Sequence, residues 1–525
     1  MGRLSWLAAV LGLGWAWAGC SRPAPLVAAA SRSQTLLLGN LAEPKDLDPQ
    51  SVSDTQTQNI DMALFEGLTQ YDPKTAEPMA GVATRWEVSA DNLTWTFHLR
   101  PEARWSNGDP LTAADFIFAF NRIKSPQLGA EYAYFFDALK SATAPDPSTL
   151  VLALNHPVPY LPAEACHPAW YPLHRATLEK FGGVDRRGSA WTRPGNLVGN
   201  GPFTLVEWKS HEVVHVRRNP RYWNAAHVRL QDVFFYPIES IDTEERAFRS
   251  GQLHATASLP PGKIATYEKD APQFLQMSPY FATYFYRFNV TKPPFNDVRV
   301  RRALALTIDR LRIVRDVTRG HQDPAVSVTP PGVAGFTADT HLHTDVPLAR
   351  QLLAAAGYPG GRGFPHVDLL FNSNEGHKQI AEAIQRMWHE ELGIEVGLTN
   401  QEGTVWLSSM RELDYQVARF AWTGDYLDAS SFLDIMRSTS GNNQTGWKSA
   451  EYDRLLDQAN STADPARRYA CYQRCEQILA EECPITPIYY YKRISLLRPE
   501  VKGWYPNLLD FHVLTDVYLD VGAAH

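Results

Sequence analysis

The start of the chain fixes the environment in which the rest must fold. Arg3 precedes an uncharged run, Leu4 to Ala18, too short to cross a bilayer comfortably, and Ala18-Gly19 sets small residues before Cys20. That layout is an export signal that is removed rather than folded. A cysteine at the cleavage point is lipobox-like, so residues 1–20 are expected as a lipoprotein signal region ending at Cys20, the expected site of lipid attachment. Trp17 departs from the leucine usual three places before such a cysteine, which leaves ordinary secretion as the alternative. Residues 21–33, rich in Ser, Pro and Ala, read as a flexible tether.

About 490 of the 525 residues remain, more than one core usually accommodates, so two or three domains are expected. No later apolar run has the length of a membrane-spanning helix. The net charge of −7 is spread along the chain with no basic stripe for nucleic acid. The 15 Trp, 22 Tyr and 23 Phe exceed what a core requires and suit a wide, amphipathic ligand cavity. Beyond Cys20 stand Cys166, Cys471, Cys475 and Cys483; export permits disulfides, and one bridge among these four is expected. No histidine at zinc-finger spacing accompanies them, so no metal is expected.

Thr35 to Gly39 reads as a strand that breaks at Glu43-Pro44 and Asp48-Pro49, and Asn59 to Leu68 as a helix. Trp86–Ser89 and Thr94–Leu99, separated by Ala90-Asp91-Asn92, form a hairpin. Thr112 and Asp115 stand at capping-box spacing. Phe203–Trp208 and Glu212–Val216 form a second hairpin. Asn296-Asp297 precedes a helix over Val298–Leu311. Strand Val367–Phe371, a helix from about Lys378 to Leu392, and strands at Val396–Leu398 and Val417–Ala421 repeat the βαβ order of an α/β lobe.

Catalytic signatures are absent. His389-Glu390-Glu391-Leu392-Gly393 opens like a zinc-protease helix but has Gly393 where the second histidine is required, and neither a Gly-x-Ser-x-Gly elbow nor a Walker loop occurs.

Several ordered stretches carry a resemblance. Leu41-Ala42-Glu43-Pro44-Lys45-Asp46-Leu47-Asp48-Pro49, Leu64-Phe65-Glu66-Gly67-Leu68, and Trp105-Ser106-Asn107-Gly108-Asp109-Pro110-Leu111-Thr112-Ala113-Ala114-Asp115-Phe116 come first. Gly199-Asn200-Gly201-Pro202-Phe203, Asn219-Pro220-Arg221-Tyr222-Trp223 and Asp297-Val298-Arg299-Val300-Arg301 follow. Over residues 34 to 521 the chain resembles the extracellular solute-binding proteins of family 5, the oligopeptide-binding receptors of ABC importers. The resemblance implies an α/β, type II periplasmic-binding-protein fold: two lobes with a hinge, plus an extra domain inserted in the first lobe. The implied division is domain I from 34–75, 195–280 and 491–525, inserted domain II from 76–194, and domain III, the second lobe, from 281–490. It further implies a non-enzymatic, monomeric receptor without cofactor, held by a lipid on Cys20, which captures short peptides and hands them to an ABC permease. Within the same fold a muropeptide, dipeptide, sugar or metal chelate is the alternative ligand. A surface or signalling role, or a hydrolase in the cleft, is the alternative from another class.

The peptide-binding branch takes the ligand's α-ammonium on an aspartate, which the run Val417–Tyr426 places at Asp425. The ligand main chain would pair with Trp422, Thr423 and Gly424 and with Glu43 to Lys45, where Pro44 offers only its carbonyl. Side-chain pockets would draw on Tyr132, His377, Arg419, Trp406, Tyr489 and Tyr491; of the last two, strand alternation puts at least one in the core. Gly403 replaces a pocket tryptophan usual in the family, Met410 a basic residue, and Thr423 a cysteine. Cys20→Ser is expected to move the protein from the membrane fraction to the soluble extracytoplasmic fraction on cell fractionation. Unchanged retention would exclude anchoring through Cys20.

Overall fold

The computed structural model describes residues 26–340 and 342–522. Cys20 lies outside them. Leu26–Arg32 is a helix with Val27 and Ser31 buried, and Ser31 Oγ lies 3.0 Å from His254 Nε2. The tether reading therefore fails for these residues, because Val27 and Ser31, one turn apart on one face, dock the helix on the globule, the first by burial and the second through its hydroxyl.

Three sheets carry the architecture. The first orders strands Thr35–Gly39, Asp232–Tyr236, Val213–Arg218 and Phe203–Lys209; Thr35–Gly39 is parallel to its neighbour and the rest are antiparallel. The second is a four-stranded antiparallel sheet in the order Ala83–Val88, Thr94–Leu99, Thr149–Leu154 and Leu139–Asp146, two hairpins joined through the strands that are second and last in chain order. Its two central strands alternate, burying Trp95, Phe97 and Leu99 on one and Leu150, Leu152 and Leu154 on the other, so one face is core and the other wet. The third has six strands, in the order Asp323–Pro324, Ile485–Leu496, Leu275–Phe288, Val417–Thr423, Val367–Asn372 and Val396–Gln401. Helix Glu375–Leu392 crosses between the parallel strands Val367–Asn372 and Val396–Gln401, the expected βαβ unit.

The two long strands join the lobes. Leu275–Pro279 pairs with Lys492–Leu496 beside a small core of Phe248, Leu253 and Ile264. After a register break between Pro279 and Thr283, Thr283–Arg287 pairs with Ile485–Tyr490 inside the second-lobe core. A break in the ladder at that point leaves two backbones free to twist where they pass from one lobe to the other.

The expected helix at Asn59–Leu68 is Thr55–Leu64. Asp54 caps it one turn earlier, its Oδ1 accepting from Thr57 N at 2.9 Å, and it stops where Gly201 N donates to Leu64 O at 2.9 Å. A Cβ on Gly199 would lie 2.1 Å from Leu64 O, which explains the glycine-rich run there. The helix expected over Val298–Leu311 ends at Thr307, since Asp309 caps a new turn by accepting from Arg312 N at 2.9 Å. Thr112 N donates to Asp115 Oδ2 at 2.8 Å, as the capping-box spacing requires.

The four cysteines are all free, against the expected bridge. Cys471 and Cys475 lie one turn apart on helix Pro465–Glu482, where Cβ atoms stand roughly 5–6 Å apart, beyond disulfide reach. Cys166 packs on Thr69 and Cys483 caps that helix in the left-handed region.

Asp48, read from sequence only as part of a turn, is fully buried against Arg122. The guanidinium donates to both its oxygens, at 3.0 and 2.6 Å, and to Gln50 Oε1, Gly183 O and Val184 O. This pair pins helix Ala113–Ile123, which follows the second strand of the second sheet, to the first segment of the chain. Arg122→Ala leaves that carboxylate buried without its cation, and the expected cost is about 3–5 kcal/mol in a urea-unfolding series. A loss below about 1 kcal/mol would show that water replaces the guanidinium.

Candidate functional site

Between the lobes lies a cavity of about 350 Å³ lined by Tyr132, His167, Tyr280, Thr423, Gly424 and Asp425, with Asp54 and Phe511 among the remainder. Strand Val417–Thr423 builds its second-lobe wall. Residues 417–423 pair with Phe288–Ala282 on one side, whereas on the other the parallel neighbour Val367–Asn372 pairs only at Val417 and Ala418. From Arg419 to Thr423 that edge has no strand partner among the described residues. It is an open ladder for an extended ligand. Gly424 N donates to Phe281 O at 2.8 Å, and a Cβ at Gly424 would fall 2.1 Å from the Phe281 ring; only glycine lets the chain turn there and present Asp425.

Asp425 is half-buried. Its backbone N donates to Ser431 Oγ at 2.8 Å, and Tyr134, from the turn of helix ahead of strand Leu139–Asp146, donates its hydroxyl to Asp425 Oδ2 at 2.7 Å across the cleft. Burial pushes the carboxyl up to about 6, and the Tyr134 hydrogen bond opposes that only partly. No arginine or lysine pairs with it among the described residues. Beside this contact Tyr160 stacks on Tyr426, with centroids 4.9 Å apart, so the lobes also meet through rings. His167, buried and bonded through Nδ1 to Ala169 N, is pushed down to about 3 by desolvation and stays neutral.

Strand alternation puts Arg419 on the same face as Thr423, with Tyr284 and Tyr286 of the neighbouring strand. Arg419 is 8 % exposed and donates to Asn372 Oδ1 and to the Tyr491 hydroxyl, at 3.1 and 3.0 Å. Its guanidinium lies 4.7 Å from the Tyr284 ring centre, and among the described residues its Nε has no hydrogen-bond partner and no carboxylate pairs with it. His377, whose ring is 5.6 Å from Tyr284, is pushed down to about 3 by burial and then by Arg419.

The site residues read from the sequence thus divide. Tyr132, Thr423, Gly424 and Asp425 line one cavity; Arg419, His377, Tyr489 and Tyr491 gather further along the same sheet face, Tyr489 as core and Tyr491 half-buried. Trp422 directs its Nε1 to Ser431 O at 2.7 Å. Trp406 goes elsewhere: it is 7 % exposed, stacks on Phe420 and packs with Met410 on the face opposite Arg419, because its helix covers that side of the strand. Glu43 to Lys45 lie beyond strand Thr35–Gly39 in irregular chain. Glu43 accepts from Trp208 Nε1 and His211 N, and Lys45 is exposed. Tyr134, Tyr280, His167 and Asp54 were not singled out from the sequence; only the aromatic density of Tyr132–Phe136 hinted at the first.

Two lobes joined by paired strands, with a cavity at their junction, define a type II binding-protein architecture. Residues 77–444 match the family described as bacterial extracellular solute-binding proteins, family 5 Middle, and the chain belongs to that family. It is 35% identical over 500 residues, 90% of either chain, to the periplasmic oligopeptide-binding protein OppA of Escherichia coli K12. It is 35% identical over 494 residues, again 90% of either chain, to the "Probable deoxycholate-binding periplasmic protein YgiS" of the same organism. The crystal structure of Haemophilus influenzae OppA complexed with RPPGFSPFR superposes with a TM-score of 0.77 at 32% identity, covering 93% of this chain and 99% of that one.

Because the folded Asp425 holds its proton more tightly than an ordinary aspartate does at 3.8, its penalty is absent at pH below about 3.8 and complete above about 6. Asp425→Asn should therefore stabilise the unliganded protein at pH 8 by roughly 1–2 kcal/mol, a discounted value because the carboxyl faces a cavity, and the gain should vanish by about pH 4. Urea unfolding at both pH values checks this. A loss of stability at pH 8 would mean that the aspartate is held by favourable contacts.

Proposed function

We propose that this protein is the substrate-binding receptor of an ABC importer and captures short peptides with a free amino terminus, working outside the cytoplasm on a lipid carried by Cys20. It acts as a monomer, by binding rather than by chemistry, and passes its ligand to a permease. The observation that carries the reading is Asp425, a desolvated carboxylate without a cation, set at the end of an open strand edge. A peptide supplies both missing partners: main-chain groups for Arg419–Thr423 and an α-ammonium for Asp425. Family membership alone does not choose the ligand, since relatives of equal identity carry names for a peptide and for a bile acid. The cavity's carboxylates disfavour the anion.

Arg419, a buried cation without a carboxylate, would take the ligand's far end. Thr423 lies four positions further along the strand, roughly 13 Å away, which fits a peptide a few residues long. Trp422 to Gly424, Tyr132, His377 and Tyr491 would contact the ligand. Domain boundaries at 280/281 and 490/491 are supported by the register break beside them.

Short peptides should bind, and their N-acetylated forms should bind far more weakly. Asp425→Asn should cost the free peptide roughly 2–5 kcal/mol and remove most of the discrimination. Calorimetry on the four combinations forms a double-mutant cycle. Equal affinity of the unmodified protein for free and acetylated peptides would exclude Asp425 as the ammonium site.

A further inference from the structure

The cavity at Asp425 contains a second carboxylate that a peptide's amino terminus leaves unanswered. Asp54, ahead of helix Thr55–Leu64, lines the same space, and among the lining residues these two aspartates are the only formally charged groups apart from His167, which is neutral. Asp54 uses one oxygen, Oδ1, to accept from Thr57 N at 2.9 Å and from Thr57 Oγ1 at 2.7 Å; Oδ2 has no hydrogen-bond partner among the described residues. Arg493 packs against the lining, 4.6 Å from the Tyr280 ring centre, and is already paired with Asp510 at 2.6 Å.

Asp54 comes from the first lobe and Asp425 from the second, so a ligand with one positive group satisfies only one wall of the cavity. Closing the cavity over a single α-ammonium would leave the Asp54 carboxylate desolvated and uncompensated. We propose that Asp54 sets side-chain specificity, and that the preferred ligands are peptides whose first residue carries a cationic side chain, with the α-ammonium on Asp425 and the lysine or arginine head group on Asp54. The tyrosine and phenylalanine rings around the cavity suit the aliphatic stem of such a side chain. This inference rests on the peptide reading above.

The test compares tripeptides that share a free amino terminus and differ only in the first side chain: Lys-Ala-Ala, norleucine-Ala-Ala and Glu-Ala-Ala, titrated by calorimetry into the unmodified protein and into Asp54→Asn. Asparagine caps a helix as well as aspartate does, so the variant keeps the first turn of Thr55–Leu64. Lys-Ala-Ala should bind about tenfold more tightly than the norleucine peptide, and Glu-Ala-Ala more weakly than either. In Asp54→Asn the lysine advantage should fall to about twofold or less, with norleucine-Ala-Ala unchanged. Equal binding of lysine and norleucine peptides to the unmodified protein, or a lysine advantage that survives Asp54→Asn, overturns the assignment and leaves the peptide reading standing. If cadaverine binds as tightly as Lys-Ala-Ala, the site is one for diamines and the inference fails. Absence of binding by all three peptides removes the peptide reading and this inference together.

Discussion

The two strands that run through both lobes, Leu275–Phe288 and Ile485–Leu496, constrain everything else in the molecule. Their outer halves belong to a small core beside the first sheet and their inner halves to the core of the second lobe. The ladder is irregular between Pro279 and Thr283, at the passage between them. Tyr280 and Phe281 fall in that interval, and both line the cavity. An irregular stretch of the ladder is therefore also a wall of the cavity between the lobes, so anything held in that cavity would touch the element that passes from one lobe to the other.

Asp425 illustrates the tension between stability and binding. A carboxylate raised to about 6 by burial weakens the unliganded protein near neutral pH, and the single tyrosine hydroxyl from the opposite lobe recovers only part of that. Under the peptide reading proposed above, the same partial desolvation would favour a cation that entered the cavity, because a carboxylate shielded from part of its water gains more from an opposite charge. Arg419 repeats the arrangement with the opposite sign at the far end of the open edge, held by a tyrosine hydroxyl and an asparagine oxygen rather than by an acid. Each buried charge keeps neutral partners that orient it without satisfying it.

The sequence by itself determined the local elements and the class of fold. Alternation placed Trp95, Phe97 and Leu99 inward, Thr112 and Asp115 announced a capped helix, and the strand–helix–strand order after Val367 gave the parallel unit of the second lobe. These features depend on near neighbours in the chain, whose spacing is fixed by 3.6- and 2-residue periods. Helix ends were less legible, since Leu64 and Thr307 stop where Gly201 and the Asp309 cap intervene.

Tertiary structure alone decided which distant groups meet. Trp406 and Arg419 both looked like pocket residues, and only the packing of helix Gly403–Arg411 on one face of strand Val417–Thr423 sends the first into the core and leaves the second facing Tyr284. Cys166, Cys471, Cys475 and Cys483 are free: one helical turn holds Cys471 and Cys475 apart, and Cys483 packs in a different core from Cys166 and Cys475, a geometry that spacing cannot reveal. Tyr134 meets Asp425 across a separation of 291 residues, and Asp54 reaches the same cavity from near the start of the first lobe. Such encounters follow from how two lobes close on each other, which is set by the hinge strands and by no local pattern of residues.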